Sequence, residues 1–131
     1  MIDGVALSAR QPLTDAELDA LFAEAWPDHR HAGSGPVLQR SLTWITARSV
    51  DRLVGFVNVA TDGGAHAFLL DTTVHPDWQR HGIGRRLVAA AIDEVRASGV
   101  TWLHVDYEPH LDKFYRGCGF RATNAGLLRL G

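Results

Sequence analysis

The residues with the most chemical promise lie together in Gln79-Arg80-His81-Gly82-Ile83-Gly84. This segment joins a strand-like run, Ala67 to Val74, to an amphipathic run from Gly82 to Ser98. The first turn of a helix presents unpaired N–H groups and a partial positive charge, and both favour phosphate. Glycines clear side chains from the approach to the backbone. Arg80, Arg85 and Arg86 add positive charge nearby. The segment therefore reads as an anion site on the scale of a pyrophosphate. A dinucleotide fingerprint needs a third small residue three positions after Gly84, where this chain has Leu87. A Walker loop needs Gly-Lys-Ser/Thr, and the sequence has none.

Four further groups could do chemistry. Tyr115, in Phe114-Tyr115-Arg116-Gly117-Cys118-Gly119-Phe120, carries a phenol that can act as a positioned general acid, or is a core aromatic on a short helix. Asp71 follows the apolar run Phe68-Leu69-Leu70. A carboxylate there is costly unless solvated or paired, so it either lines a site or faces water from a half-exposed strand. Glu108 precedes Pro109 and His110, and it could orient a substrate, hold a water or cap the next helix. His104 shares a strand face with Trp102 and Asp106 by period-two alternation, and such a His–Asp pair could relay protons or simply satisfy itself. Cys118, the single cysteine, reads as a small buried side chain between glycines. The seven histidines match no compact ligand spacing, so no metal is expected.

These groups need a scaffold, and the periodicities supply one. Val5 to Arg10 reads as a first strand. Thr14 and Glu17 have the spacing of a capping box, and Leu18, Leu21, Phe22 and Ala25 follow at helical spacing before Pro27. Residues 28–36 read as a loop. Leu42 to Ala47 and Leu53 to Ala60 form a predicted hairpin around Val50-Asp51-Arg52. Ala67 to Val74 is the next strand. Gly82 to Ser98 is a helix with Ile83, Leu87, Ala90, Ala91 and Val95 on its apolar stripe, and Gly99 stands just past its end. Trp102 to Tyr107 is a strand parallel to Ala67–Val74, because a whole helix connects them. Leu111 to Arg116 is a short helix, and Phe120 opens a closing strand. The order implies an α/β fold with one mixed sheet.

Bulk properties narrow the field. The 131 residues suit one domain, 1–131, and the composition is that of an ordinary soluble globule. A formal net charge of -2 gives no sign of a general nucleic-acid or membrane-surface binder. The N-terminus lacks a secretory pattern and no apolar run approaches a membrane span. A lone cysteine suits a reducing compartment, so a cytoplasmic location is expected.

Two motifs together carry a family resemblance. Val74-His75-Pro76-Asp77-Trp78-Gln79-Arg80-His81-Gly82-Ile83-Gly84 resembles the Val-x-Pro strand end and Gln-x-x-Gly-x-Gly loop of the GCN5-related N-acetyltransferases. Phe114 to Phe120 is similar to their Phe-Tyr-x-x-x-Gly-Phe. The resemblance covers roughly residues 65–121. It implies a mixed sheet of about six strands with flanking helices and splayed parallel central strands. It implies acetyl-CoA as cosubstrate and no metal. The amides of Gln79, Arg80, His81, Gly82, Ile83, Gly84 and Arg85 would hold its pyrophosphate, and the backbone of Thr73, Val74 and Thr72 its pantetheine arm. Tyr115 would protonate the departing thiolate.

The implied reaction is direct attack by an amine of a small molecule or a protein, without a covalent enzyme intermediate. Asp71 or Glu108, alone or through water, would take the amine's proton. Trp26, His29 and His31 border the loop that shapes the acceptor pocket in that family. Only residues 121–131 follow Phe120, enough for one strand and not a second. The acceptor side is then open, or completed by another subunit in a homodimer. The rival expectation is a CoA-binding module of the same fold without turnover.

Overall fold

The computed structural model describes residues 4–29 and 33–131. Its five strands lie in the order β1-β2-β3-β4-β5: β1 is Val5–Ala9, β2 Thr43–Ser49, β3 Arg52–Thr61, β4 His66–Val74 and β5 Trp102–His104. The first four are antiparallel to their neighbours, and β5 runs parallel to β4. The crossover between β4 and β5 is α3, Ile83–Ala97.

Local chemistry explains most boundaries. Helix α1, Asp15–Ala25, starts in the capping box expected from sequence. The Glu17 amide donates to Thr14 Oγ1 at 3.1 Å, and the Thr14 amide donates to Glu17 Oε2 at 2.8 Å. Arg48 Nη1 lies 2.6 Å from Glu17 Oε1 and so ties α1 to β2. The β2–β3 hairpin closes with Ser49 opposite Arg52, which leaves Val50 and Asp51 as the loop. Val50 sits there in the left-handed region at φ 57.

Both faces of the sheet are covered. On one face Ile83, Leu87, Val88, Ala91 and Val95 of α3 pack with Ile45, Val57, Val59, Ala67 and Leu69. On the other, Leu18 and Leu21 of α1 pack with Leu53 and Phe56. Gly55 lets α3 approach β3, since a Cβ there would lie 3.0 Å from Leu87 and 3.1 Å from the Ala47 methyl.

Three sequence expectations need correcting. The predicted loop 28–36 gives way to a short helix, α2, Gly35–Arg40, with Pro36 in its first turn. The strand predicted to reach Tyr107 stops at His104, because the ladder to β4 ends there. The closing strand after Phe120 is not formed, since residues 121–131 lie exposed without a sheet partner. The sheet therefore has five strands among the described residues, against about six expected. No helix among them is long and apolar enough to cross a membrane.

Candidate active site

The site begins where two strands part. β4 and β5 pair only through His66↔Trp102, Ala67↔Leu103 and Phe68↔His104. Beyond Phe68, β4 runs on to Val74 with no ladder to β5. A bulge helps turn it away. Phe56 opposes Thr73 and Asn58 opposes Leu70, so Asp71 and Thr72 together face the single residue Val57. Asp71 takes up the extra length in the left-handed region, at φ 59. The Thr73 hydroxyl donates to the Asp71 carbonyl at 2.8 Å, which holds the bulge from the buried side.

The turn after β4 is locked from below. His75 is buried, accepts from the Asp77 amide at Nδ1 (3.0 Å), and places Nε2 3.0 Å from Arg52 Nη2. Trp78 meets the His75 ring edge-on at 5.1 Å and carries the Arg52 guanidinium over its own ring at 5.0 Å. Gln79 then donates through Nε2 to the Val74 carbonyl at 3.1 Å, which ties the loop to the strand end.

Arg80 and Gly82 follow in left-handed conformations, at φ 66 and φ 82. Gly82 is the N-cap of α3, and a Cβ built on it meets nothing within 4 Å. The space beside the start of α3 is thus free at Gly82, while Ile83 is buried and anchors the helix. Arg80, His81 and Arg85 are exposed around this turn. Arg86 is directed elsewhere, with Nη2 donating to the Val5 carbonyl at 3.2 Å. The Arg85 side chain reaches toward α4, Asp112–Gly117, and a Cβ on Gly117 would lie 2.7 Å from its Nη2.

Tyr115 sits opposite the bulge. It is 6% exposed, with Tyr107 stacked on it at 4.8 Å and Phe114 and Phe120 edge-on at 4.9 and 5.9 Å. Burial raises its phenol pKa, and the hydrogen bond from Thr72 acts the other way. Asp71 keeps an exposed surface, yet the protein around it is dense enough for desolvation to raise its carboxyl. Glu108 is exposed at the N-cap position of the 3-10 turn Pro109–Leu111 and makes no side-chain cap bond there.

The structure therefore brings Thr73, Val74, Gln79 to Arg85, Tyr115 and Asp71 to the open end of the β4–β5 wedge. Its two halves also meet at Gly84, where a built Cβ would lie 3.4 Å from the Phe114 ring and 3.7 Å from Val74. Other candidates find different places. His104 bonds His66 (Nε2 to Nδ1, 2.7 Å) and stacks on Phe68 at the closed end, so the described partner of its ring is a histidine and not Asp106. His29 bonds Asp19 at 2.9 Å and packs on Phe22 beside α1. His31 lies outside the described residues. Cys118 is half-buried, and burial pushes its thiol pKa up, which disfavours a nucleophilic thiolate. Among the described residues no group of three or more His, Cys, Asp or Glu side chains is placed to hold a metal ion.

Sequence reasoning missed Tyr107. Its hydroxyl donates to Asp112 Oδ1 at 2.8 Å, and Asp112 also pairs with Arg116 at 2.7 Å. No spacing rule marks it, because the chain between β5 and α4 is irregular.

Comparisons with known proteins agree with this arrangement. An uncharacterized N-acetyltransferase of Porphyra purpurea is 35% identical over 72 residues, which is 55% of this chain and 41% of that protein. The chain spans well under two thirds of the length of the first curated relatives it matches. A GNAT-family acetyltransferase structure from Streptococcus pneumoniae superposes with a TM-score of 0.83 at 21% identity, covering 97% of this chain and 98% of that one. An aminoglycoside N-acetyltransferase solved in complex with CoA superposes with a TM-score of 0.74 at 18% identity, covering 100% and 99%. These two likenesses establish the fold. The model of the acetyltransferase (GNAT) family matches residues 9–120, and the chain belongs to that family.

Proposed function

We propose that this chain transfers an acetyl group from acetyl-CoA to a primary amine of a small molecule or a protein. One observation carries the reading. The Tyr115 phenol, at the open end of the parted strands, packs on Phe114, whose ring lies beside Gly84 in the first turn of α3. A donor with a thioester at one end and phosphates at the other suits such a site.

The residues present fit that donor. Open space lies before Gly82, where a side chain would otherwise project. The amides from Gln79 to Arg85 supply donors for a pyrophosphate, and the helix end supplies partial positive charge. The unpaired edge of β4 around Thr73 and Val74 offers backbone groups to an amide-bearing arm. Acetyl-CoA, when bound, supplies an activated acetyl thioester.

The chain's own groups then manage protons. Tyr115 is held protonated through neutral pH by burial, and so is ready to donate to a departing thiolate. Desolvation raises the Asp71 carboxyl above its ordinary range and so makes it a stronger base for the incoming ammonium. Glu108 is solvated and would act through a water. Backbone at the end of β4 orients the carbonyl. No step requires a covalent bond to the enzyme.

Thiol release from acetyl-CoA over a panel of amines tests the reading. Acceleration by at least one amine class is expected. Saturable acetyl-CoA binding with no amine-dependent release would instead identify a CoA-binding module without turnover.

A further inference from the structure

The Tyr115 ring is held from three parts of the chain. Phe114 and Phe120, edge-on to it at interplanar angles of 86° and 84°, belong to α4 itself and to the chain just after it. Thr72 reaches it from β4. Tyr107 comes from the other wall of the wedge, the chain leaving β5. Among the described residues it is the one ring stacked on Tyr115, with centroids 4.8 Å apart and planes 25° apart.

That stack has an anchor of its own. The ladder to β4 ends at His104, so Val105 to Glu108 have no strand partner to fix them among the described residues. The Tyr107 hydroxyl supplies the fixing point by donating to Asp112 Oδ1 at 2.8 Å. Asp112 Oδ2 accepts in turn from Arg116 Nε at 2.7 Å, one helical turn on. The bond from Tyr107 and the Arg116 guanidinium hold the Asp112 carboxyl below its ordinary range. The acceptor is therefore a carboxylate at neutral pH, and the bond to it is charge-assisted. Asp112 opens α4 and Tyr115 follows three residues later, on the same side of the helix. Tyr107 touches both: its tip holds the helix start, and its face covers the phenol one turn on.

We propose that Tyr107 is a positioning residue for the acid: anchored on Asp112, its ring holds the Tyr115 hydroxyl at the mouth of the wedge. Phe114 and Phe120 move with α4, and Thr72 belongs to β4. No other ring stack or side-chain hydrogen bond among the described residues joins Tyr115 to the β5 side of the site. What the phenol does there rests on the acyl-transfer reading, whereas the hold on it does not.

Two substitutions test it: Tyr107→Phe loses only the bond to Asp112, and Tyr107→Leu also loses the ring. Tyr107→Leu should lower kcat by about 10- to 100-fold, the scale for a misplaced reacting group, with the Kd for acetyl-CoA little changed. Tyr107→Phe should keep part of the rate. In a Tyr115→Phe background neither substitution should lower kcat further, because the group they position is gone. A loss as large as in the wild-type background would make Tyr107 a packing residue and overturn the proposal. A wild-type rate in Tyr107→Phe would do the same. Tyr107→Phe alone carries this comparison if Tyr107→Leu does not fold. Turnover by the wild type is read first. Its absence overturns the acyl-transfer reading and leaves the positioning role to a measurement without substrate. Tyr107 and Tyr115 are the only tyrosines, so each Tyr107 variant leaves Tyr115 alone to titrate by tyrosinate absorbance. Burial holds this phenol above its ordinary range, and Thr72, Asp106 and Cys118, which also act on it, are unchanged in both variants. The midpoint should lie lower in Tyr107→Leu than in Tyr107→Phe, since water reaches the uncovered ring. Equal midpoints in the two folded variants would show that Tyr107 does not hold the phenol.

Discussion

The Thr72 side chain lies close enough to the Tyr115 phenol to lower its pKa through hydrogen bonding. The pair spans the mouth of the wedge, from the bulged end of β4 to helix α4. Thr72 thereby acts on a group whose ring is held by Tyr107, Phe114 and Phe120. The first prediction follows. Tyr115→Phe keeps the ring contacts and removes only the hydroxyl. Turnover should fall by about 10²–10⁴-fold, the range for loss of a positioned acid, with little change in the Kd for acetyl-CoA. Isothermal titration beside steady-state rates checks the split. An equal loss in both would make Tyr115 a packing residue.

The same bond sets a pH signature. A phenol acting as an acid must be protonated, so activity should decline as pH rises through its pKa. Thr72 lowers that pKa. Thr72→Val should therefore move the alkaline limb of the kcat profile to higher pH. A limb that stays in place, or moves down, would separate Thr72 from Tyr115.

Gly82 separates strain from charge at the anion site. Its φ of 82 makes any side chain unfavourable by about 1–2 kcal/mol, but a Cβ there meets nothing. Gly82→Ala should leave a folded protein with a modest loss of CoA affinity. Gly82→Asp adds a carboxylate in front of the α3 amides and should abolish measurable CoA binding, with circular dichroism unchanged. Equal affinities for the two variants would remove the phosphate assignment.

Asp71 makes a prediction about stability. Its carboxyl pKa is raised in the folded state by desolvation. A group raised on folding contributes stability below its unfolded pKa, near 3.9, and loses it as pH rises through the folded value. Ionised Asp71 is therefore a burden at pH 7. Asp71→Asn should raise Tm at pH 7 relative to wild type, and this gain should shrink below pH 4. Asparagine also tolerates the left-handed φ, so only the pH-dependent part of the gain reports the carboxyl. A gain of equal size at both pH values would be a backbone effect.

Val50 is a β-branched residue at φ 57, 87% exposed in the hairpin loop. Val50→Asn should stabilise by about 1 kcal/mol, read as a Tm higher by a few degrees. Acetyl-CoA affinity should change little, since the Val50 side chain projects into solvent.

Much of this was legible in the residues. Thr14 and Glu17 announce their helix because a capping box is local chemistry. Gln79 to Gly84 announce theirs because a glycine-rich strand–helix junction has few other uses. The bulge at Asp71 left only a trace, a carboxylate after an apolar run, since register depends on the β3 partner. Tyr107 and Thr72 were invisible as partners of Tyr115, because stacking and side-chain bonds across the wedge join distant segments. β5 was overestimated for the same reason: Val105 and Tyr107 have strand-forming side chains, but a strand needs a neighbour. Helix α2 was missed because Gly35 and Pro36 are loop residues in most settings, and here they form a first turn.

Gly84 adds one more lesson. A Cβ built at this position would sit at ordinary contact distance, 3.4 Å from the Phe114 ring and 3.7 Å from Val74. The gap between helix and wedge is thus a socket with room for a methyl. A longer side chain would be driven into Phe114, the neighbour of the acidic hydroxyl, and would push the two ends of the site apart.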